Sequence, residues 1–132
     1  AGFVDNSAAL IIGAVAGIVG FVGVNVIKKA FKFDDALDAF GIHALAGIWG
    51  AIATGIFANP AVNSLGKGLL YGNPGQVMIQ LKAVLVTIVF TAVGTALVYG
   101  VSSLLTGGGR VSAEDESIGL DEATHGEKGF HI

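Results

Sequence analysis

Phe40-Gly41-Ile42-His43-Ala44-Leu45-Ala46-Gly47-Ile48-Trp49-Gly50-Ala51-Ile52-Ala53-Thr54-Gly55-Ile56-Phe57-Ala58 decides the fold of this chain. A bilayer core needs about 20 predominantly apolar residues from a helix. This run is just long enough, and His43 is its sole titratable side chain. An ionisable group at membrane depth is costly and is a functional hypothesis by default. On an α-helix His43, Gly47, Gly50 and Thr54 follow one another at i, i+4, i+7 and i+11, one stripe of small and polar residues. Such a stripe is expected to face protein or a cavity, not lipid.

Two further runs are long enough to span, Ala8–Ile27 and Val77–Leu105. The latter would be roughly 43 Å long as a single helix, so it must tilt, bend or project into the interface. Hydrophobic residues make up 53 % of the 132-residue chain and charged ones only 13 %, with a mean hydropathy of +0.76. That composition excludes an ordinary soluble domain and predicts an all-α integral membrane protein. The expected organisation is a transmembrane region over 1–105, with spans at about 8–27, 40–58 and 77–105, followed by a tail over 106–132.

There are no cysteines, which removes any disulfide framework or thiolate metal site. His125 and His131, six apart, lack the helical spacing of a metal pair. No basic footprint for nucleic acid is present. The opening Ala1 and the absence of a basic n-region or cleavage pattern fit a piece of something larger. Three spans also leave little room to enclose a pore.

Gly13, Gly17, Gly20 and Gly23 gather on one side of the first span, a face that lets another backbone approach closely. Lys28, Lys29 and Lys32 lie between the first two spans, whereas the loop Asn59–Gln76 holds only Lys67. Together with Arg110 after the third span, this bias puts the lysine loop and the tail on the cytoplasmic side. The Asn59–Gln76 loop, with both prolines and repeated Asn and Gly, is expected to be irregular and exposed outside. In the third span Gln80, Thr87, Thr91, Gly94 and Ser102 lie near one face. Their expected role is packing, with hydroxyls bonding across to neighbours or back to the i−4 carbonyl, and lining a pore is the alternative.

Asp34, Asp35 and Asp38 precede the His-bearing span. Their simplest role is helix capping and dipole complementation, about 0.3–1 kcal/mol each where exposed; the sharper one sets Asp38, one turn before His43, at the inner mouth of a pore. Gly107–Gly109 ends the last helix, and the acidic tail beyond it is either disordered or docked on a partner. A neutral imidazole has one donor and one acceptor nitrogen, so His43 can bond a small amine and relay its proton. It can equally bond a neighbouring helix and hold a bundle together. Position and stripe leave these two roles open.

The residues Asp34-Asp35-Ala36-Leu37-Asp38-Ala39-Phe40-Gly41-Ile42-His43-Ala44-Leu45-Ala46-Gly47-Ile48-Trp49-Gly50, with Thr54-Gly55-Ile56-Phe57-Ala58, resemble the penultimate transmembrane segment of the ammonium transporter (Amt/Mep/Rh) family. Gly119-Leu120-Asp121-Glu122-Ala123-Thr124-His125-Gly126-Glu127-Lys128-Gly129-Phe130 resembles that family's cytoplasmic end, where Gly-Leu-Asp and His-Gly-Glu precede an aromatic residue. The first span and Ala1-Gly2-Phe3-Val4 also resemble the segment before that helix.

The resemblance implies more than the chain contains: eleven spans with the amino terminus outside, two inverted five-span repeats, a long final helix and a homotrimer with one pore per subunit. These spans would be the ninth to eleventh. His43 matches the second of the family's paired pore histidines, and Ala44 stands where many members carry glycine. The implied substrate is ammonium or ammonia, with methylammonium as analogue, moved through a multi-pass cytoplasmic-membrane transporter that needs neither cofactor nor metal and is no enzyme. Asp34, Asp35 and Asp38 would lie at the cytoplasmic mouth. Gly119, Leu120, Asp121, His125, Gly126, Glu127 and Phe130 would form a regulatory tail that packs on the cytoplasmic loops around Phe31 and Phe33 and helps to bind a PII-type signalling protein. A non-conducting membrane module that binds a PII-like regulator, and a Rh-like neutral gas channel, are the competing readings.

Overall fold

A computed structural model describes residues 2–32, 34–127 and 129, and among these it is helical with no strand. Two compact units result, Ala1–Ile88 and Val89–Ile132.

The first unit opens with a cap. Asp5 has extended backbone (ψ 171°) and its Oδ1 accepts the Ala8 amide at 2.9 Å, satisfying a donor that the first helical turn leaves over. Helix α1 (Asn6–Val22) continues through a π turn, Gly23–Ile27, into α2 (Lys28–Phe31), 26 residues in all. The apolar run stops at Ile27, yet the helix carries on through Lys28 and Lys29, whose charges suit the negative end of its dipole. Lys32, in the left-handed region at φ 54°, terminates it.

The second span, Phe40–Phe57, starts as a π turn (Phe40–Leu45) and continues as α3 (Ala46–Phe57). Asp35 caps it, its two carboxylate oxygens accepting the amides of Ala39 (2.9 Å) and Phe40 (2.8 Å). Capping, the simpler role for this group of aspartates, is thus carried by Asp35.

The two spans run antiparallel. Asp38 pairs with Lys28 at one end and Asn59 bonds Asp5 at the other. Between these ends the Trp49 indole donates to the Ile12 carbonyl at 3.0 Å. Among the described residues every buried one is Ala or Gly: Ala8, Gly23, Gly41, Ala53, Gly55, Ala58 and Gly68. The unit is therefore packed by backbones approaching one another, as membrane helices pack, and has no core of large side chains.

The connection after α3 is irregular and mostly exposed, as its turn residues predict, but Gly68 is buried and the segment is tied back to the first unit. A 3₁₀ turn at Leu69–Tyr71 leads to Gly72 at φ 92°. The Asn59 amide donates to Phe3 O and the Gly68 amide to Ala58 O, both at 2.8 Å. Asp5 Oδ2 accepts from both Asn59 Nδ2 and the Tyr71 hydroxyl, each at 3.2 Å. The bonds from the Ala8 amide and the Asn59 side chain outweigh desolvation and hold the Asp5 carboxyl below its usual range. Desolvation and the bond to Asp5 push the Tyr71 hydroxyl up.

Helix α4 (Gly75–Thr106) has 32 residues, roughly 48 Å at 1.5 Å per residue, and holds no buried residue. In the first unit its opening turns meet α3 at Gly55, where a methyl would lie 2.9 Å from Gln80 Cγ and 3.2 Å from Val77 Cα. Thr87 bonds back to the Ala83 carbonyl at 2.8 Å. The second unit contains the end of α4, then Gly107 and Gly108 at φ 77° and 149°, a short α5 (Ala113–Ile118) and a π turn at Asp121–His125.

Candidate functional site

His43 lies inside the π turn Phe40–Leu45 and is exposed. Gly47 is exposed too, while Gly50 and Thr54 are half-buried. Neither glycine has a non-local atom within 4 Å of where a methyl would stand. The stripe is thus interrupted at its head: the spacing from His43 to Gly47 assumes a regular α-helix, and a wider turn intervenes. Thr54 satisfies its own hydroxyl by donating to Gly50 O at 2.9 Å.

On the first span only Gly23 makes the close backbone approach expected of its glycine face. It meets Gly41, whereas Gly13, Gly17 and Gly20 are open. A groove of about 510 Å³ runs beside them, lined in part by Gly17, Gly20, Asn25, Asp38 and Ile42.

Of the three aspartates, Asp34 is exposed and Asp35 caps the second span. Asp38 has φ 56°, and its Oδ1 accepts Lys28 Nζ at 2.6 Å. Both side chains of that pair are about 30 % exposed (29 % and 31 %), so water screens it only in part. The Asp38 carbonyl meanwhile accepts the Ile42 amide at 3.0 Å, which ties this pair to the turn that carries His43.

The tail residues form a small structure of their own. Ser112 Oγ accepts the Asp115 amide at 3.1 Å and caps α5. Gly119 (φ 100°) and Gly126 (φ 66°) occupy conformations that a side chain rarely adopts. Between them the backbone carbonyl of Asp121 accepts the Glu127 amide at 3.2 Å. Asp121, Glu122 and Glu127 share a shallow concavity with Ile118 and Leu120. His125 is exposed, as is Leu120, and Phe31 in the first unit is 71 % exposed. Phe33 and Phe130, two of the expected docking aromatics, lie outside the described residues, as does His131.

Trp49, Gly41 and the Asp5–Asn59–Tyr71 group were not singled out by sequence reasoning, and Lys28 was read only for its charge, not as the partner of Asp38. Asp5 alone leaves a local signal, an Asp placed just before an apolar helical run. The others act through partners far away in the chain.

The profile of the Ammonium Transporter Family matches residues 1–130. The chain is 46 % identical to "Ammonium transporter" of Aquifex aeolicus over 132 residues, all of this chain and 30 % of that protein. It is 47 % identical to "Ammonium transporter" of Bacillus subtilis, over 98 % of this chain and 32 % of the relative. With "Ammonium transporter Amt1" of Archaeoglobus fulgidus the identity is 44 %, again over 98 % of this chain and 32 % of the relative. The chain thus spans about a third of the length of these relatives. Its three helices long and apolar enough to cross a membrane agree with a transporter fold. The chain is a membrane protein of the ammonium transporter family.

Proposed function

We propose that this chain is the carboxy-terminal three-span part of an ammonium transporter, in which His43 lines the path of ammonium or ammonia. The family match over nearly the whole chain carries this reading, since it includes the apolar span in which His43 is the only titratable group. Relatives named as ammonium transporters favour conduction over a non-conducting module.

Ammonium entering an apolar constriction must shed hydration or its proton, because a bare ion in a low-dielectric site costs more than a few hydrogen bonds return. A neutral imidazole offers an acceptor to the departing N–H and a donor to the next partner, so it can hold the dehydrated molecule while its proton moves on. In the complete protein the open side of His43, Gly47 and Gly50 would be closed by spans beyond these residues.

The lysine bias supports a cytoplasmic position for the Lys28–Asp38 loop and the tail, in the cytoplasmic membrane. Asp34, Asp35 and Asp38 then stand at the inner mouth. There Lys28 offsets the charge of Asp38, and Asp35 holds the helix start. The tail, Gly119–Phe130, is read as a coupling element within a homotrimer and as part of the surface that a PII-type protein recognises. Removing 119–132 should lower transport and weaken PII binding without preventing assembly.

The decisive experiment is His43→Ala in the complete transporter. Methylammonium transport, or its discrimination from potassium, should change while membrane assembly persists, because small residues around the site tolerate loss of the ring. Unchanged transport and unchanged discrimination would remove His43 from the path.

A further inference from the structure

The first two spans come into backbone contact where their π turns meet. Gly23 opens one turn and Gly41 is the second residue of the other. A methyl on Gly23 would lie 2.7 Å from Gly41 Cα and 3.0 Å from Leu45 Cδ1. On Gly41 it would lie 2.9 Å from Val24 N and 3.0 Å from the Gly23 carbonyl carbon. Most of these atoms are backbone, so no change of rotamer can make the room.

A π turn takes in one residue more than an α turn, which rotates everything beyond it by about 100° relative to an unbroken α-helix. Such turns are rare and concentrate at functional sites. Here each wider turn is seated on the other, and the contact is bracketed by the Lys28–Asp38 pair at 2.6 Å on one side and the Trp49–Ile12 bond at 3.0 Å on the other. His43 sits within the second turn, two residues past Gly41. Its direction and depth therefore depend on how that turn is held.

We infer that Gly23 and Gly41 are positioning residues for His43: their backbone contact locks the two π turns and so sets where the imidazole points. This inference rests on the reading of His43 as a residue of the transport path. A methyl at either glycine must shift the crossing by tenths of an ångström, moving the ring while leaving its chemistry intact.

The test is a double-mutant cycle in the complete transporter with Gly41→Ala, His43→Ala and both together, read as the ratio of methylammonium to potassium flux with membrane abundance measured alongside. Gly41→Ala should lower that ratio on the order of tenfold, since a misplacement of about 1 Å can cost about 10²-fold at a positioned group. The double variant should match His43→Ala alone, because Gly41 acts through the ring. Gly23→Ala should behave likewise. A merely structural role would lower abundance and both fluxes together without moving the ratio, and that result, or additivity in the cycle, overturns the inference while leaving His43 in place. Unchanged methylammonium transport together with an unchanged ratio in His43→Ala overturns the underlying reading instead. Where Gly41→Ala does not reach the membrane, Leu45→Ala loosens the same contact without adding an atom, and its coupling to His43→Ala decides the matter by the same criterion.

Discussion

The crossing of the first two spans and the tail after α4 are built on opposite plans. Around the crossing the fastenings join residues distant in sequence: Ile12 with Trp49, Gly23 with Gly41, Lys28 with Asp38, and Asp5 with both Asn59 and Tyr71. In the tail the Ser112 cap reaches Asp115, Arg110 pairs with Glu116, and the Glu127 amide bonds Asp121 O, all within six residues. The first arrangement fixes two spans against each other with hardly a large buried side chain. The second makes a local structure whose named bonds run between near neighbours in sequence.

The sharpest way to break that contrast is at Gly68, where the connection folds back onto the end of α3. A methyl there would lie 2.6 Å from Ile56 O and 2.7 Å from Ala58 N, again backbone on both sides. Gly68→Ala should destabilise the first unit by about 1–3 kcal/mol, the usual cost of overpacking a site that cannot yield. Thermal unfolding of the complete transporter in detergent would check it. An unaltered midpoint would mean that the connection yields freely and is no fastening.

The Asp5 group comes next and can be probed by pH. Its folded pKa lies below the ordinary value of 3.8, so the stability it contributes is fully present above 3.8 and is lost as pH falls through that lower folded value. The Tyr71 pKa lies above 10.0, so its contribution is full below 10.0 and is lost as pH rises through the raised value. Protection of the 59–74 connection from proteolysis should therefore be flat between these limits and fail outside them, and Asp5→Ala should lower it throughout. Opening near pH 6 would contradict this account.

Trp49→Phe should have a smaller effect. It keeps an aromatic ring but removes the N–H that reaches Ile12 O along with part of the indole's bulk, and interhelical bonds in membranes are worth about 0.6 kcal/mol on average. A shift much larger than that would show that the indole sets the register of the spans and does not merely support it.

Much of the fold was legible because spanning a bilayer leaves a coarse mark. The three apolar runs lie almost wholly within three helices long and apolar enough to cross a membrane, Asn6–Phe31, Phe40–Phe57 and Gly75–Thr106; only Ala58 of the second run falls outside. The first helix outruns its apolar stretch because Lys28 and Lys29 can finish a helix whose hydropathy has already ended. The π turns left no trace, since nothing near Gly23 or Gly41 distinguishes them from Gly17 or Gly47. What makes them different is that they meet across two spans. His43 was legible as a candidate because an ionisable group stands out in an apolar run, but what it faces was not. Its open side is met within these residues by nothing that touches Gly47 or Gly50.

The smallest effect belongs to the tail and tests the other half of the contrast. Helix α5 has six residues, far below the roughly 12–15 at which an isolated helix becomes even marginal in water, so its cap matters locally. Ser112 has extended backbone, and its Oγ accepts the Asp115 amide while donating to Asp115 Oδ2 at 2.7 Å. Ser112→Ala removes both bonds and should cost α5 about 1 kcal/mol, which is about a fivefold faster hydrogen exchange for the amides of 113–118. The exchange of α1 and α3, and the unfolding midpoint of the full-length protein, should not move, because the hydrogen bonds of Ser112 run to its near neighbours Asp115 and Glu116. If slowly exchanging amides near Gly23 and Gly41 speed up together with those of α5, the tail is coupled to the crossing by contacts of longer range, and the division between a locked pair of spans and a locally folded tail does not hold.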